Sequence, residues 1–322
     1  MIYKIKKILI FIFLIIFCIL VNVNNYYKFL SIFSIKRKMI KICLCTIGKN
    51  ENKYTREFIN HYQKYGVDKI FIYDNNDING ESFYDVSSDY INDKFVEIIN
   101  FRGKNRIQMT AIKDCYKNNY NSYDWLIFYD MDEFIYLKNY VNIKDYLENK
   151  RFEKCDLIHL NLVIHLDNDE VFYKNKSLAE RFPLIKYDPN YGQIKSILRG
   201  HIPNITIECN HVINHNLQVC DGFGHKKKRI WMSTKEPDYK NYYINHYFWK
   251  STEEYVNKCL RGDVFYGKNK INNMSSFDIL RYFIYNKITQ EKIFFLANKT
   301  GKNITKIIEK LEKKNKTIYN TK

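Results

Sequence analysis

The run Trp125-Leu126-Ile127-Phe128-Tyr129 has no polar face and ends abruptly in Asp130-Met131-Asp132-Glu133. It is too short for a helix and too uniformly apolar for a strand with one wet face, so it reads as a strand covered on both sides. Its neighbours agree. Ile40 to Thr46 alternates as a strand does, and Tyr54 to Tyr65 sets Phe58, Ile59, Tyr62 and Tyr65 at helical spacing before Gly66, a helix stop. Lys69 to Tyr73, Phe95 to Ile99 and Leu157 to Leu166 read as further strands, and Arg106 to Tyr120 as a helix. The order strand, helix, strand, strand, helix, strand predicts an α/β, Rossmann-like fold with a mostly parallel sheet and flanking helices.

Ligands of open α/β sheets bind at the carboxyl ends of the strands. Three polar clusters fall there: Thr46 to Glu51, Asp74 to Asp77, and Asp130 to Glu133. They carry acids where a phosphate cradle would carry glycines. No G-x-G-x-x-G and no Walker A occurs in the chain, which weighs against NAD and P-loop chemistry. Asp130 and Asp132 are two residues apart, and on an extended chain such side chains point the same way. Two carboxylates on one face repel unless a divalent cation joins them, and a hard cation so held keeps positions open for a diphosphate oxygen. A lone D-x-D is usually a solvated turn. The buried strand before it and Glu133-Phe134 after it give this one its weight.

The chain's charge of +17 invites a nucleic-acid reading until it is located. Residues 1–41 hold eight Lys/Arg and no acid, and residues 299–322 hold eight Lys against two Glu, so 42–298 carries only +3. The excess is terminal, which disfavours a basic groove through the fold and so a nucleic-acid partner. Lys4, Lys6 and Lys7 precede an unbroken apolar run from Ile8 to Val21 with no small-x-small cleavage site after it. That pattern predicts an uncleaved signal anchor over 1–23 and a basic linker over 24–39, with a cleaved signal as the second reading. Basic residues flank the run on both sides, so orientation stays open. The eight cysteines show no C-x-x-C and no zinc spacing; buried thiols with one or two bridges are expected. Residues 263–322 read as a basic helical tail, with helices over Ser275–Ala297 and Thr305–Leu311 and an apolar stripe of Phe277, Leu280, Phe283 and Ile284 packed on the core.

Taken in order, Lys41 to Glu51, Glu57 to Ile70, Tyr73-Asp74-Asn75, Gln108, Asp124 to Phe134, Glu180-Arg181-Phe182, Lys195 to Arg199, His211 and His246 to Gly262 resemble the GT-A glycosyltransferases of family 92 and their family-2-like relatives. The likeness spans about 40–262. It implies a GT-A domain there, a metal-dependent and inverting transfer of a sugar from a nucleotide-sugar donor (a UDP-sugar first) to a glycan or other acceptor, and Mn2+ or Mg2+ as cofactor. It also implies a single-pass membrane protein, Golgi-resident with a lumenal catalytic domain in a eukaryote and membrane-associated otherwise.

Carried over by position, Asp130, Asp132 and His246 are the expected metal ligands, neutral imidazole suiting Mn2+ beside carboxylates. Thr46, Asn50, Glu51, Asp74, Gln108 and Lys250 are the expected donor contacts. For Asp74 an Asx-turn with Asn75 and Asn76 is equally open, and Glu51 has a helix-capping alternative. Arg261 is a further basic residue near the phosphates or the surface, and Ser251 with Glu254 reads as a capping box. Inversion needs a carboxylate base, and Asp167 at the end of the strand Leu157–Leu166 is the first choice, Asp169 the second. Two other classes remain open: a nucleotidyltransferase or nucleotide-sugar hydrolase on a similar sheet, and a non-catalytic carbohydrate-binding protein.

Overall fold

Every residue of strand β1 (Ile42–Gly48) is buried, because the chain covers both faces of it. Ile42 and Leu44 pack on one side against Phe58, Ile59 and Tyr62 of helix α1 (Asn52–Lys64). Cys43, Cys45 and Ile47 pack on the other against Ala111, Ile112, Cys115 and Tyr116 of helix α3 (Gln108–Asn119). Between them run β2 (Lys69–Asp74), helix α2 (Tyr84–Asn92) and β3 (Val96–Asn100). The computed structural model describes residues 39–186, 192–207, 217–227, 237–261 and 274–310.

β3, β2, β1 and β4 (Trp125–Phe128) lie side by side and parallel, so their carboxyl ends share one edge. Beyond β4 the expectation of a mostly parallel sheet fails. β8 (Ile194–Arg199) is antiparallel to β4 and to β6 (Leu157–His165), β10 (Tyr242–His246) is parallel to β6, and β5 (Glu133–Leu137) is antiparallel to β10. Two short strands, β7 (Ile185–Lys186) and β9 (Val219–Asp221), also pair with β6. The acidic turn lies where the two halves of the sheet join. Glu133 N–H donates to Asp130 C=O at 3.0 Å, closing a tight turn that sends the chain straight from β4 into β5. Strand order nevertheless separates β4 from β5 by β8, β6 and β10. On a flat sheet that is roughly 19 Å, more than the roughly 14 Å such a linker spans. The sheet must therefore curl, and curling carries β10 towards the acidic turn.

The tail helices α7 (Ser276–Tyr285) and α8 (Gln290–Thr300) join the same core through Ile279, Tyr282, Phe283 and Leu296. Of the predicted stripe, Phe283 is buried, but Phe277 and Ile284 are exposed. A single helix to Ala297 does not form, because Asn286 leaves the helical region at ψ 151 and Thr289 caps a new helix on the Lys292 N–H. The face is then set by Tyr282, stacked on Tyr255 at 5.0 Å and edge-on to Trp249 at 5.8 Å. Two short helices, α4 (Ile143–Leu147) and α5 (Leu178–Arg181), complete the side of the sheet that faces α1, with α6 (Thr252–Arg261) following β10.

Cys155 and Cys220 form a disulfide; Cys43, Cys45, Cys115 and Cys259 are free. Among the described residues no helix is long and apolar enough to cross a membrane. The expected anchor over 1–23 and nearly all of the linker lie outside those residues, as do His211 and Gly262.

Candidate functional site

The shared edge of the parallel strands gathers Glu51, Asp74 and the acidic turn. Gly48 makes this possible: a Cβ there would run into Met131 of the turn and meet Phe83 at 2.6 Å. The turn is held from both ends. Asp130 N–H donates to Glu133 Oε2 at 3.0 Å, and Tyr247 N–H donates to Asp132 C=O at 2.9 Å.

Asp130 and Asp132 follow the strand and do not end it, and their side chains part. Asp130 accepts from Lys195 Nζ at 2.6 Å and from Gln108 Nε2 at 3.2 Å. Asp132 instead faces His246, with Nε2 3.5 Å from Oδ1, and accepts from Lys258 Nζ at 2.7 Å. The residue that joins Asp132 and His246 is Glu133, whose Oε1 lies 3.9 Å from His246 Nε2. One ligand atom from each of Asp132, Glu133 and His246 lies within 4.8 Å of the others. Such atoms fit around one cation with bonds of roughly 2.0–2.6 Å. Asp130 stands outside this trio: of the expected set Asp130, Asp132 and His246 the structure brings together Asp132 and His246, adds Glu133, and leaves Asp130 with Lys195 and Gln108. The strand-face argument fails for Asp130 because the chain has already turned.

The trio's chemistry suits a divalent ion. Glu133 Oε1 is buried and accepts no hydrogen bond among the described residues; Lys195 Nζ comes within 3.1 Å, close enough for an ion pair but off the hydrogen-bond line. Burial pushes the Glu133 carboxyl up to about 8, against the pull of Lys195. Burial also lowers His246 despite the nearby Asp132, which keeps the imidazole neutral and able to coordinate. Asp132 behaves oppositely: burial would raise it, but the Lys258 ammonium and His246 hold it well below the carboxylate range. A buried acid with one oxygen free of hydrogen bonds among the described residues, beside a neutral imidazole and an ionised carboxylate, is a donor set that a hard or borderline cation completes.

A second charged cluster adjoins the first. Glu51 is buried at the start of α1 without capping it; its carboxylate meets Lys250 Nζ at 2.9 Å and Arg261 Nη2 at 2.7 Å. Burial would raise Glu51, and these two cations hold it lower. Burial lowers Lys250, which sits at φ 52 with its ammonium 4.1 Å from the Tyr54 ring. Arg261 also donates to the Lys49 carbonyl. The Ser251–Glu254 capping box forms as expected, Ser251 N–H donating to Glu254 Oε2 at 3.2 Å and Glu254 N–H to Ser251 Oγ at 3.4 Å.

The other expected donor contacts divide. Thr46 Oγ1 is buried without a hydrogen-bond partner among the described residues. With Gln108, Tyr129 and Asp130 it lines a cavity of about 10 Å³, enough for a single water. Asn50, at φ 54, donates its N–H to Asn76 Oδ1 at 2.7 Å. Asp74 takes the Asx-turn alternative, accepting from Asn76 N–H at 2.9 Å, and also binds Arg102 Nη1 at 2.9 Å. A cavity of about 490 Å³ lined by Lys69, Glu97, Asp114 and Tyr123 contains none of these residues.

Asp167 is where the sequence put it, just past β6, but in surroundings unfit for a base. It is 2% exposed, paired with the buried Lys292 ammonium at 2.7 Å, and accepts the Tyr282 hydroxyl hydrogen. A carboxylate sealed from solvent, with its oxygens engaged by Lys292, Tyr282 and the Asp169 N–H, is poorly placed to take a proton from an acceptor, which speaks against the first choice. Asp169, at φ 60, keeps a half-exposed carboxylate with Lys292 Nζ at 3.0 Å.

Sequence reasoning missed Glu133, Lys195, Lys258 and Arg102. Lys195 carried a signal: a charge inside the strand Ile194-Lys195-Ser196-Ile197-Leu198 demands a buried partner. Glu133 was quoted only as context for D-x-D.

The fold and site define an α/β protein with an acidic turn, a cation-ready carboxylate–imidazole trio and a basic girdle at the carboxyl edge of a parallel half-sheet. The chain belongs to glycosyltransferase family 92, whose family model matches residues 38–247. Among curated relatives, a glycosyltransferase family 92 protein of Ricinus communis is 25% identical over 125 residues, covering 39% of this chain and 22% of the relative. One from Oryza sativa subsp. japonica is 26% identical over 126 residues, 35% of this chain and 19% of the relative. The match thus spans about a fifth of either relative. Of solved structures, S. aureus TarS 1–349 is 12% identical, covers 80% of this chain and 70% of that one, and has a TM-score of 0.34. A mannosyltransferase, PcManGT from Pyrobaculum calidifontis in complex with GDP-Man and Mn2+, is 8% identical, covers 38% of this chain and 36% of that one, and has a TM-score of 0.29.

Proposed function

We propose that this chain is a GT-A glycosyltransferase that uses Mn2+ or Mg2+ to move a sugar from a nucleotide-sugar donor, a UDP-sugar first, to a glycan or other acceptor. The observation that carries the reading is the trio Asp132, Glu133 and His246, buried, within ligand distance of one another and sited at the strand ends of a family 92 domain. A cation held there supplies Lewis-acid stabilisation of the leaving diphosphate. This chain's own residues do the rest. Lys195 orients Asp130 and neutralises the turn; Lys250 and Arg261 fix the loop Lys49–Glu51 that borders the nucleotide. Thr46 Oγ1, buried without a hydrogen-bond partner among the described residues, is a hydrogen-bonding group available at that border. For direct inversion the base is assigned to Asp169, the acid after β6 with an outward carboxylate.

The Cys155–Cys220 bridge supports a catalytic domain in an oxidising compartment, as a lumenal orientation of an N-terminal anchor would give. Calorimetry of UDP with and without Mn2+ tests the core of the reading. Wild type should bind UDP only with the metal, and Asp132→Asn should lose that binding while unfolding cooperatively. UDP binding indifferent to Mn2+ refutes the metal role. Asp169→Asn should keep UDP affinity and lose turnover in a donor screen; unchanged turnover removes it as the base.

A further inference from the structure

Before any metal arrives, the site has no negative charge to spare. Four carboxyl groups (Glu51, Asp130, Asp132, Glu133) face four basic ones (Lys195, Lys250, Lys258, Arg261), joined by contacts of 2.6 to 3.1 Å. A divalent ion placed on Asp132 adds positive charge to a cluster with no surplus of carboxylates over basic groups, so either a resident cation leaves or an anion comes with it.

Among the described residues, one cation sits on a member of the trio with room to move. Lys195 is locked, its side chain 1% exposed and shared between Asp130 and Glu133. Lys250 and Arg261 are committed to Glu51. Lys258 rests on Asp132 Oδ2 at 2.7 Å with a quarter of its side chain exposed. It also has a second anchor: its ammonium lies 4.1 Å from the Phe248 ring and 3.4 Å from the Phe248 carbonyl. Its backbone is fixed in α6, so the side chain can turn without the helix shifting.

We infer that Lys258 is an exchangeable counter-cation: it pairs with Asp132, yields that carboxylate to the metal, and then binds the diphosphate of the donor. This rests on the proposed function above and adds to it a reason for metal and nucleotide to bind together. Metal alone must displace an ammonium; metal with a diphosphate gives the displaced ammonium a new partner.

The test measures Mn2+ binding alone by electron paramagnetic resonance and UDP binding at saturating Mn2+ by calorimetry. Lys258→Met keeps the stem that packs beside Phe248, and Lys258→Gln serves as a second neutral variant. Both should bind Mn2+ alone about tenfold more tightly and UDP with Mn2+ about tenfold more weakly, each the loss of one partly screened charge contact. Lys258→Arg should stay near wild type in both. If the neutral variants bind Mn2+ no better than wild type, or bind UDP equally well, the counter-cation role is overturned while metal-dependent UDP binding by wild type leaves the proposed function standing. If wild type itself binds UDP without Mn2+, both fall together.

Discussion

Replacing Lys292 by Met tests whether Asp167 is an anchor of the tail. Lys292 is fully buried, and its ammonium contacts Asp167 Oδ2 at 2.7 Å and Asp169 Oδ1 at 3.0 Å and donates to the Lys287 carbonyl. At an effective dielectric near 20, the closer contact is worth about 6 kcal/mol of attraction, most of it offset by the desolvation of two buried charges. Methionine fills the volume but leaves Asp167 as a buried carboxylate with only the Tyr282 hydroxyl and the Asp169 N–H for support. Stranding a buried charge in this way costs about 3–5 kcal/mol. The assay is urea unfolding of Lys292→Met, Asp167→Asn and the double variant. Lys292→Met should lose about 3–5 kcal/mol, and the double variant should be more stable than the sum of the single losses predicts, by at least about 1 kcal/mol. A loss under about 1 kcal/mol for Lys292→Met, or strictly additive losses, would refute the buried pair.

Two further outcomes follow from the same structure. His61 is held neutral by burial, which lowers it from 6.5 to about 4, beside the Ile135 carbonyl at 3.0 Å. Because the unfolded chain binds that proton more readily, the contribution is complete above about pH 6.5 and is lost as pH falls to about 4, up to about 3 kcal/mol; His61→Gln should flatten that part of the stability–pH curve, and an unchanged slope disproves it. The Cys155–Cys220 bridge spans a separation of 65 residues, so Cys155→Ser with Cys220→Ser should lower stability by about 4 kcal/mol. Unfolding that is indifferent to reductant in the wild type would contradict it.

What was legible in the site came from local pattern. The acids at the ends of apolar runs identified the edge, and His246 and Lys250 were found through their resemblance to family residues. Glu133 went unread because the spacing rule applied to a strand, whereas the chain had left the strand at Phe128 and turned. Asp167 was misread because position after β6 says nothing of what packs on it. Its partners Lys292, Tyr282 and Asn286 lie more than a hundred residues away and carry no local signal.

By itself the sequence determined strands β1 to β4 and β6 and helices α1 and α3, and that the parallel half has both faces covered, since burial of alternating and continuous apolar runs is a local property of the chain. It also determined where acids collect, because strand ends are marked by the change from apolar to polar residues. Tertiary structure alone decided which acids meet His246. That choice depends on the curl of the sheet, which brings β10 and its His246 to a turn 113 residues earlier in the chain, and on long side chains from β8 and α6 that reach across to balance buried charge. Electrostatic balance in a low-dielectric interior is set by distances of a few ångströms between remote residues, and one-dimensional spacing does not encode those distances.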